Sequence, residues 1–153
     1  MFKPELEYAF TMKVDLGPRE HWGPTPAGGG RAFVPVLGGT IDGPLLTGKV
    51  RPYGGDWPYV RMDNVVVFDA HYGWEASDGT LIHVRNQGYR HSCKEVMDRL
   101  AAGETMDPSN YYHRSSPTFD CVVGPHDWLT RTMFVCVGDR QHAQATFHYF
   151  AVR

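Results

Sequence analysis

Hydrophobic and polar residues alternate with a period of two along much of the chain. Leu6, Tyr8, Phe10, Met12 and Val14 fall on one face, and Glu5, Glu7, Thr11 and Lys13 on the other. That is the pattern of a half-buried strand. Arg31 to Val36 predicts a second strand, broken by Leu37-Gly38-Gly39-Thr40, and Leu45 to Arg51 a third. Leu16 to Gly30 and Pro52 to Pro58 are rich in Gly and Pro and are expected as loops.

Asn64 to Ala76 is the longest strand candidate, and Thr80 to Tyr89 runs back from it after Ser77-Asp78-Gly79. The length of that turn decides which side chains share a face. A two-residue Asp78-Gly79 turn would set Glu75 against Ile82. A three-residue turn with Gly79 left-handed sets Trp74 against Ile82, Tyr72 against Val84 and Ala70 against Asn86. The second keeps apolar with apolar and is preferred. The inner face is then Phe68, Ala70, Tyr72, Trp74, Ile82 and Val84, with Asn86 its polar exception and Asp69 and His71 outside.

One short helix is expected over about 92–102. Ser92 is its N-cap, Glu95 completes a capping box, Val96, Met97 and Leu100 form the apolar stripe, and Gly103 ends it. Beyond a Pro108 turn, Tyr111 to Val123, Trp128 to Val137 and Ala143 to Val152 read as strands. The turns between them are Gly124-Pro125-His126-Asp127 and Gly138-Asp139-Arg140. About eight strands in hairpin order, one helix and no βαβ alternation predict an all-β antiparallel barrel. Such a barrel holds packed side chains or one small ligand.

Composition narrows the function. The 153 residues make one domain, 1–153. Fifteen Lys and Arg against 17 Asp and Glu give a formal charge of −2, with no basic surplus for phosphate backbones, so no nucleic-acid partner is expected. No apolar run reaches the ~18 residues of a membrane span, and Met1-Phe2-Lys3-Pro4-Glu5 has no apolar signal core. A soluble cytoplasmic protein without a membrane partner is expected. Cys93, Cys121 and Cys136 lack a disulfide or zinc spacing. The eight histidines contain neither His-x-His nor His-Glu-x-x-His, so no metal and no cofactor are expected. Gly28-Gly29-Gly30 lacks the Lys-Ser/Thr of a phosphate loop, and no nucleophile motif is present.

Several stretches resemble the domain-of-unknown-function family 3237, also called uncharacterised protein family 0311. They are Pro35-Val36-Leu37-Gly38-Gly39-Thr40, Gly43-Pro44-Leu45-Leu46-Thr47-Gly48, Gly54-Gly55-Asp56-Trp57, Asp69-Ala70-His71-Tyr72, Asp78-Gly79, Tyr111-Tyr112-His113-Arg114 and Trp128-Leu129-Thr130-Arg131. They run in the family's order over nearly the whole chain. The resemblance implies a closed antiparallel barrel like those of lipocalins and allene-oxide cyclases, and no particular reaction. Family members usually carry Phe at His113, Gly at Asn64 and Asn at Thr130. A titratable group in place of a phenyl wall implies specialised chemistry in this chain.

His113 falls on the more apolar face of its strand, where an imidazole can pass a proton. Asp56 and Trp57 follow a Gly-Gly turn that can set an acid and an indole at a barrel rim, with Arg61 and Asp63 nearby. Asn86, Tyr72 and Tyr111 are inner-face polar groups that need partners, either in a structural network or on a substrate oxygen. The expected catalytic set is His113 or Asp56 as base, a tyrosine such as Tyr111 as acid, and Asn86 or Arg61 holding an oxygen. Trp57, Tyr72, Trp74, Asn86, Phe119 and Trp128 are expected to line an apolar pocket. Together these predict a cofactor-independent lyase, isomerase or cyclase acting on an aromatic, phenolic or polyketide-like molecule. The alternative is a lipocalin-like barrel that binds a hydrophobic metabolite without turning it over. A homodimer is also expected, since Val65 and Val67 on the outer face call for cover.

Overall fold

The structure is a computed structural model covering residues 1–153. Its strands are β1 (Leu6–Leu16), β2 (Glu20–Pro24), β3 (Gly30–Asp42), β4 (Gly48–Asp56), β5 (Tyr59–Val60), β6 (Val66–Ala76), β7 (Leu81–His91), β8 (Tyr112–Cys121), β9 (Phe134–Arg140) and β10 (Gln144–Val152). The helix α1 (Lys94–Ala101) lies between β7 and β8. Eight strands follow one another in the antiparallel order β1-β10-β9-β8-β7-β6-β4-β3, and β3 pairs with β1 to close the barrel. Closure removes the free edges an open sheet would expose. Short β2 and β5 extend the sheet at one end through β3 and β6. No helix is long and apolar enough to cross a membrane.

The β6–β7 register pairs Trp74 with Ile82, Tyr72 with Val84 and Ala70 with Asn86, with Gly79 at φ +87°. The three-residue turn is the one formed, and Phe68, Ala70, Tyr72, Trp74, Ile82, Val84 and Asn86 are all buried. Other expectations need correction. An extra residue in β1, between Tyr8 and Phe10, turns Leu6 and Tyr8 outward while Phe10, Met12 and Val14 stay inside. Gly38 and Gly39 do not end β3. They bulge it at φ +139° and +148°, and a Cβ on Gly39 would lie 2.1 Å from the Lys13 carbonyl oxygen. The strand bends around the barrel there and continues to Asp42.

Likewise Arg51 to Tyr53 are a bulge inside β4, not its end, because β4 resumes pairing with β6 at Gly54. Glu20–Pro24 forms a strand within the expected first loop. The helix has Cys93 at its N-cap with no side-chain cap bond, and the Ser92 hydroxyl donates to the Asn110 carbonyl instead. Asp127–Arg131 is a 3-10 turn, so the return strand begins at Phe134 and not at Trp128.

The two ends of the barrel differ. At one end Phe10, Trp74, Phe119, Phe134 and Tyr149 pack ring against ring at centroid distances of 4.8–5.5 Å. Leu46 and Leu129, from the connections below, are buried in the same core. The other end, where β1, β4, β7 and β9 finish, remains hollow.

Candidate active site

Residues paired across an antiparallel ladder share a face of the sheet. One row runs Val34, Asp56, Ala70, Asn86 across β3, β4, β6 and β7. Val34, Ala70 and Asn86 are buried, so the row carries the Asp56 carboxyl inward. A second row runs Val66, Arg90, His113 across β6, β7 and β8. Arg140 on β9 stands opposite buried Ala145 on β10, and Arg19 enters from the β1–β2 loop. These polar groups share one cavity with Val14, Leu16, Val34, Val36, Phe68, Tyr72 and Phe147. Its enclosed volume is about 60 Å³. That is room for a few waters, so a larger ligand would extend from it into the mouth. It leads out to a wider hollow bounded by α1, the Leu16–Arg19 loop and the turn at His142.

Two glycine positions make this arrangement possible. A Cβ on Gly55 would fall 2.3 Å from the Phe33 ring and 2.6 Å from the Val34 carbonyl oxygen, so β4 can approach β3 beside Asp56 only without a side chain there. Gly138 on β9 lies under the His113 ring, and a Cβ there would be 2.7 Å from Nδ1. Phe68 and Phe147 hold the other sides of that ring edge-on, each at 5.1 Å.

The electrostatics follow from burial. Burial lifts the Asp56 carboxyl to about 6, even though it accepts a 2.9 Å hydrogen bond from the Asp69 backbone N–H and feels Arg90 and Arg19. Burial, then the positive charges of Arg90, Arg140 and Arg114, hold His113 well below the ordinary imidazole range, so the ring is neutral. Arg90 is lowered to about 10 by burial and by repulsion from Arg140 and Arg19. Asn86 Oδ1, Arg90 Nε, His113 Nδ1 and Arg140 Nη1 are buried without a hydrogen-bond partner. Native interiors rarely leave such groups unpaired, so four around one cavity make it the candidate site.

Of the residues expected in the site, Asp56, His113, Tyr72 and Asn86 line the cavity. Tyr111 is buried at its edge with its hydroxyl already used: it donates to Asp139 and accepts from the Arg140 backbone N–H. The remaining expectations are corrected. Arg61 is exposed outside the barrel and forks onto Asp63, because the chain there is a turn beyond β5. Trp57 follows Asp56 by one residue, so alternation sends it outward against Phe33 and His71. Trp74 and Phe119 belong to the filled core at the far end, and Trp128 covers that end against Phe134.

Arg19, Arg90 and Arg140 were missed. Continuing the period of two from Asn86 through Gly88 reaches Arg90, and from Phe134 through Cys136 and Gly138 reaches Arg140. Ending the strands at Tyr89 and Val137 hid both. Arg19, in a loop, carried no such signal. No group of three or more His, Cys, Asp or Glu side chains is gathered as a metal-binding set.

Comparison with known proteins places this geometry. Residues 4–152 match the family described as "Protein of unknown function (DUF3237)". The chain belongs to the DUF3237 family. A UPF0311 protein of Rhodopseudomonas palustris is 32% identical over 131 residues, 86% of this chain and 85% of the relative. Among solved structures, a β-barrel-like protein from Acinetobacter baumannii is similar at 30% identity and TM-score 0.87, covering 100% of this chain and 98% of its own. An enzyme from Penicillium herquei is similar at 20% identity and TM-score 0.75, covering 100% and 97%. The last likeness is one of fold. The family and its solved members account for the scaffold.

Proposed function

We propose that the chain is an enzyme performing acid–base chemistry on a small molecule in the hollow half of the barrel, with Asp56 as the base. The observation that carries this reading is a carboxyl lifted to about 6 in an apolar cavity beside unpaired buried hydrogen-bonding groups. A base is most effective when its pKa lies near the working pH. His113 suits the other role. Protonating it would add positive charge beside Arg90 and Arg140, so it acts as a neutral hydrogen-bonding ring.

In the proposed step Asp56 takes a proton from a carbon next to a carbonyl. The electron pair left behind moves onto the carbonyl oxygen, to which the Asn86 Nδ2 amide and a ring N–H of the neutral His113 can donate. Return of the proton at another carbon gives an isomer; attack of the enolate carbon on a second carbonyl of the same molecule, whose π pair moves onto its own oxygen and takes the proton back from Asp56, gives a ring. Run from a β-hydroxy carbonyl, with Asp56 taking the hydroxyl proton, the same groups serve carbon–carbon cleavage. The apolar walls suit an aromatic or polyketide-like body. The Penicillium herquei enzyme is consistent with this fold hosting catalysis.

The test incubates the protein in D2O with phenolic, enone and polyketide-derived compounds, read by liquid chromatography–mass spectrometry. Deuterium uptake or a new product is expected, and Asp56→Asn should lower it by ~10²-fold or more. Turnover that survives Asp56→Asn in a folded protein defeats the assignment. A compound retained unchanged, with no exchange, identifies a carrier instead.

A further inference from the structure

Of the eight arginines outside the cavity, six, Arg51, Arg61, Arg85, Arg99, Arg131 and Arg153, have a carboxylate within 4.0 Å, and the other two, Arg31 and Arg114, lie over the rings of Tyr59 and Tyr112. Inside the cavity, Arg19, Arg90 and Arg140 have no carboxylate so near. Three separate elements deliver these guanidiniums: the β1–β2 loop, β7 and β9. The one acid in the lining is Asp56, which is engaged by the Asp69 backbone. Arg90 Nε and Arg140 Nη1 are buried and donate to nothing. All three residues are half-buried, and Asp56 is the single opposite charge that acts on them; like charges partly withdrawn from water beside one another are costly. The fold keeps them.

We propose that the cavity takes a small organic acid, its carboxylate held by Arg90 and Arg140 under Arg19, and its apolar body against Val34, Val36, Phe68 and Phe147. The planar guanidinium matches a carboxylate two bonds at a time, which a point-charge lysine would not do. The walls below the guanidiniums are aliphatic and aromatic, so the anion is attached to an apolar body and is not bare phosphate. With Asp56 ionised and a monoanion bound, guanidiniums still outnumber carboxylates three to two. This inference rests on the same cavity as the acid–base reading and names the class of its substrate. It does not require turnover.

The experiment compares benzoate with its neutral isostere benzamide on the wild-type protein. Affinity is measured by titration calorimetry and thermal shift at pH 7.5 and constant ionic strength. Benzoate is expected to bind at least tenfold more tightly than benzamide. Arg90→Gln and Arg140→Gln should each weaken benzoate about tenfold or more and leave benzamide unchanged. Asp56→Asn should strengthen benzoate, because it removes the competing negative charge. Equal affinity for benzoate and benzamide overturns the inference, and so does inorganic phosphate binding as well as benzoate.

The wild-type comparison stands even if a variant fails to fold. The two proposals also fail separately. Tight benzoate binding with turnover that survives Asp56→Asn sinks only the base. Exchange that needs Asp56, with no preference for benzoate, sinks only the organic acid.

Discussion

The same eight strands build two unlike halves. In the filled half, inward positions carry Phe10, Trp74, Phe119, Phe134 and Tyr149, and the rings satisfy one another by contact. In the hollow half, inward positions on β4, β7, β8 and β9 carry Asp56, Asn86, Arg90, His113 and Arg140, whose polar atoms are largely unsatisfied. Both halves are lined by inward-pointing residues of the same strands. What differs is the price of replacing water: one end gains apolar burial, while the other leaves charge and hydrogen-bonding capacity exposed to whatever enters. Apolar packing is thus concentrated in one half and unpaired polar groups in the other, the division that the proposed site on a rigid scaffold requires. The separation is incomplete, since Trp74 Nε1 and Ser115 Oγ, neither of which lines the cavity, are also buried without a partner.

The largest effect should come from breaking the filled half. Trp74 is fully buried against Phe10, Phe119 and Tyr149. Trp74→Ala should cost ~3–5 kcal/mol in urea unfolding. Benzoate binding to the protein that remains folded should change little. A cost below ~1 kcal/mol would mean the rings are not where the stability resides.

The filled half was legible in the sequence because its signal is redundant. Apolar alternation, the Asp78-Gly79 turn and the pairing of apolar with apolar all agree on Phe68 to Val84. The hollow half was legible only in its middle. Asp56 and His113 were found, Asp56 from its Gly-Gly context and His113 from its apolar face. Arg90 and Arg140 were lost because they sit at strand ends, where a charged residue reads as the start of a turn. Trp57 and Arg61 were misplaced for a related reason. A bulge at Arg51 to Tyr53 lets β4 run on through Asp56, so the chain beyond it is already outside. Bulges at Ala9 and at Gly38-Gly39 likewise flip the faces of β1 and β3 without altering composition. Sequence periodicity carries no marker for a bulge except glycine, and here glycine also marks turns.

A sharper comparison uses pH, because Asp56 and His113 are perturbed in opposite senses. The Asp56 carboxyl is raised to about 6 from an unfolded value near 3.8. Its contribution is therefore present in acid and lost as pH rises through 6. His113 is depressed below 6.5, so its contribution is present at higher pH and is lost as pH falls below 6.5. Below about pH 6 the two slopes oppose each other for as long as His113 stays neutral in the folded state: the folded state holds its proton on Asp56 while the unfolded chain holds it on the imidazole.

Single variants uncover each slope. Asp56→Asn should be more stable than the wild type by ~2–3 kcal/mol at pH 8, the size of a two-unit shift, and equal to it near pH 3.5. His113→Phe should gain on the wild type as pH falls from 7 to 5. Urea unfolding across pH reads both. If Asp56→Asn has the same advantage at pH 3.5 as at pH 8, the carboxyl is not raised by its surroundings.

The smallest effect should come from one wall of the hollow half. Gly138 lies under the His113 ring, and a methyl group there would stand 2.7 Å from Nδ1, closer than any real contact. The ring must therefore move, and the cavity gives it somewhere to go. Gly138→Ala should cost only ~1–2 kcal/mol, the lower part of the range for overpacking, because empty space lies beside the ring. Its effect on ligand binding should exceed its effect on stability, since the displaced imidazole takes up cavity volume. A double-mutant cycle with His113→Ala separates the causes. If the ring is what the methyl group strikes, Gly138→Ala should become nearly neutral once His113 is truncated. An unchanged cost in that background would show that the β9 backbone itself resists the substitution, and that the glycine serves the barrel and not the site.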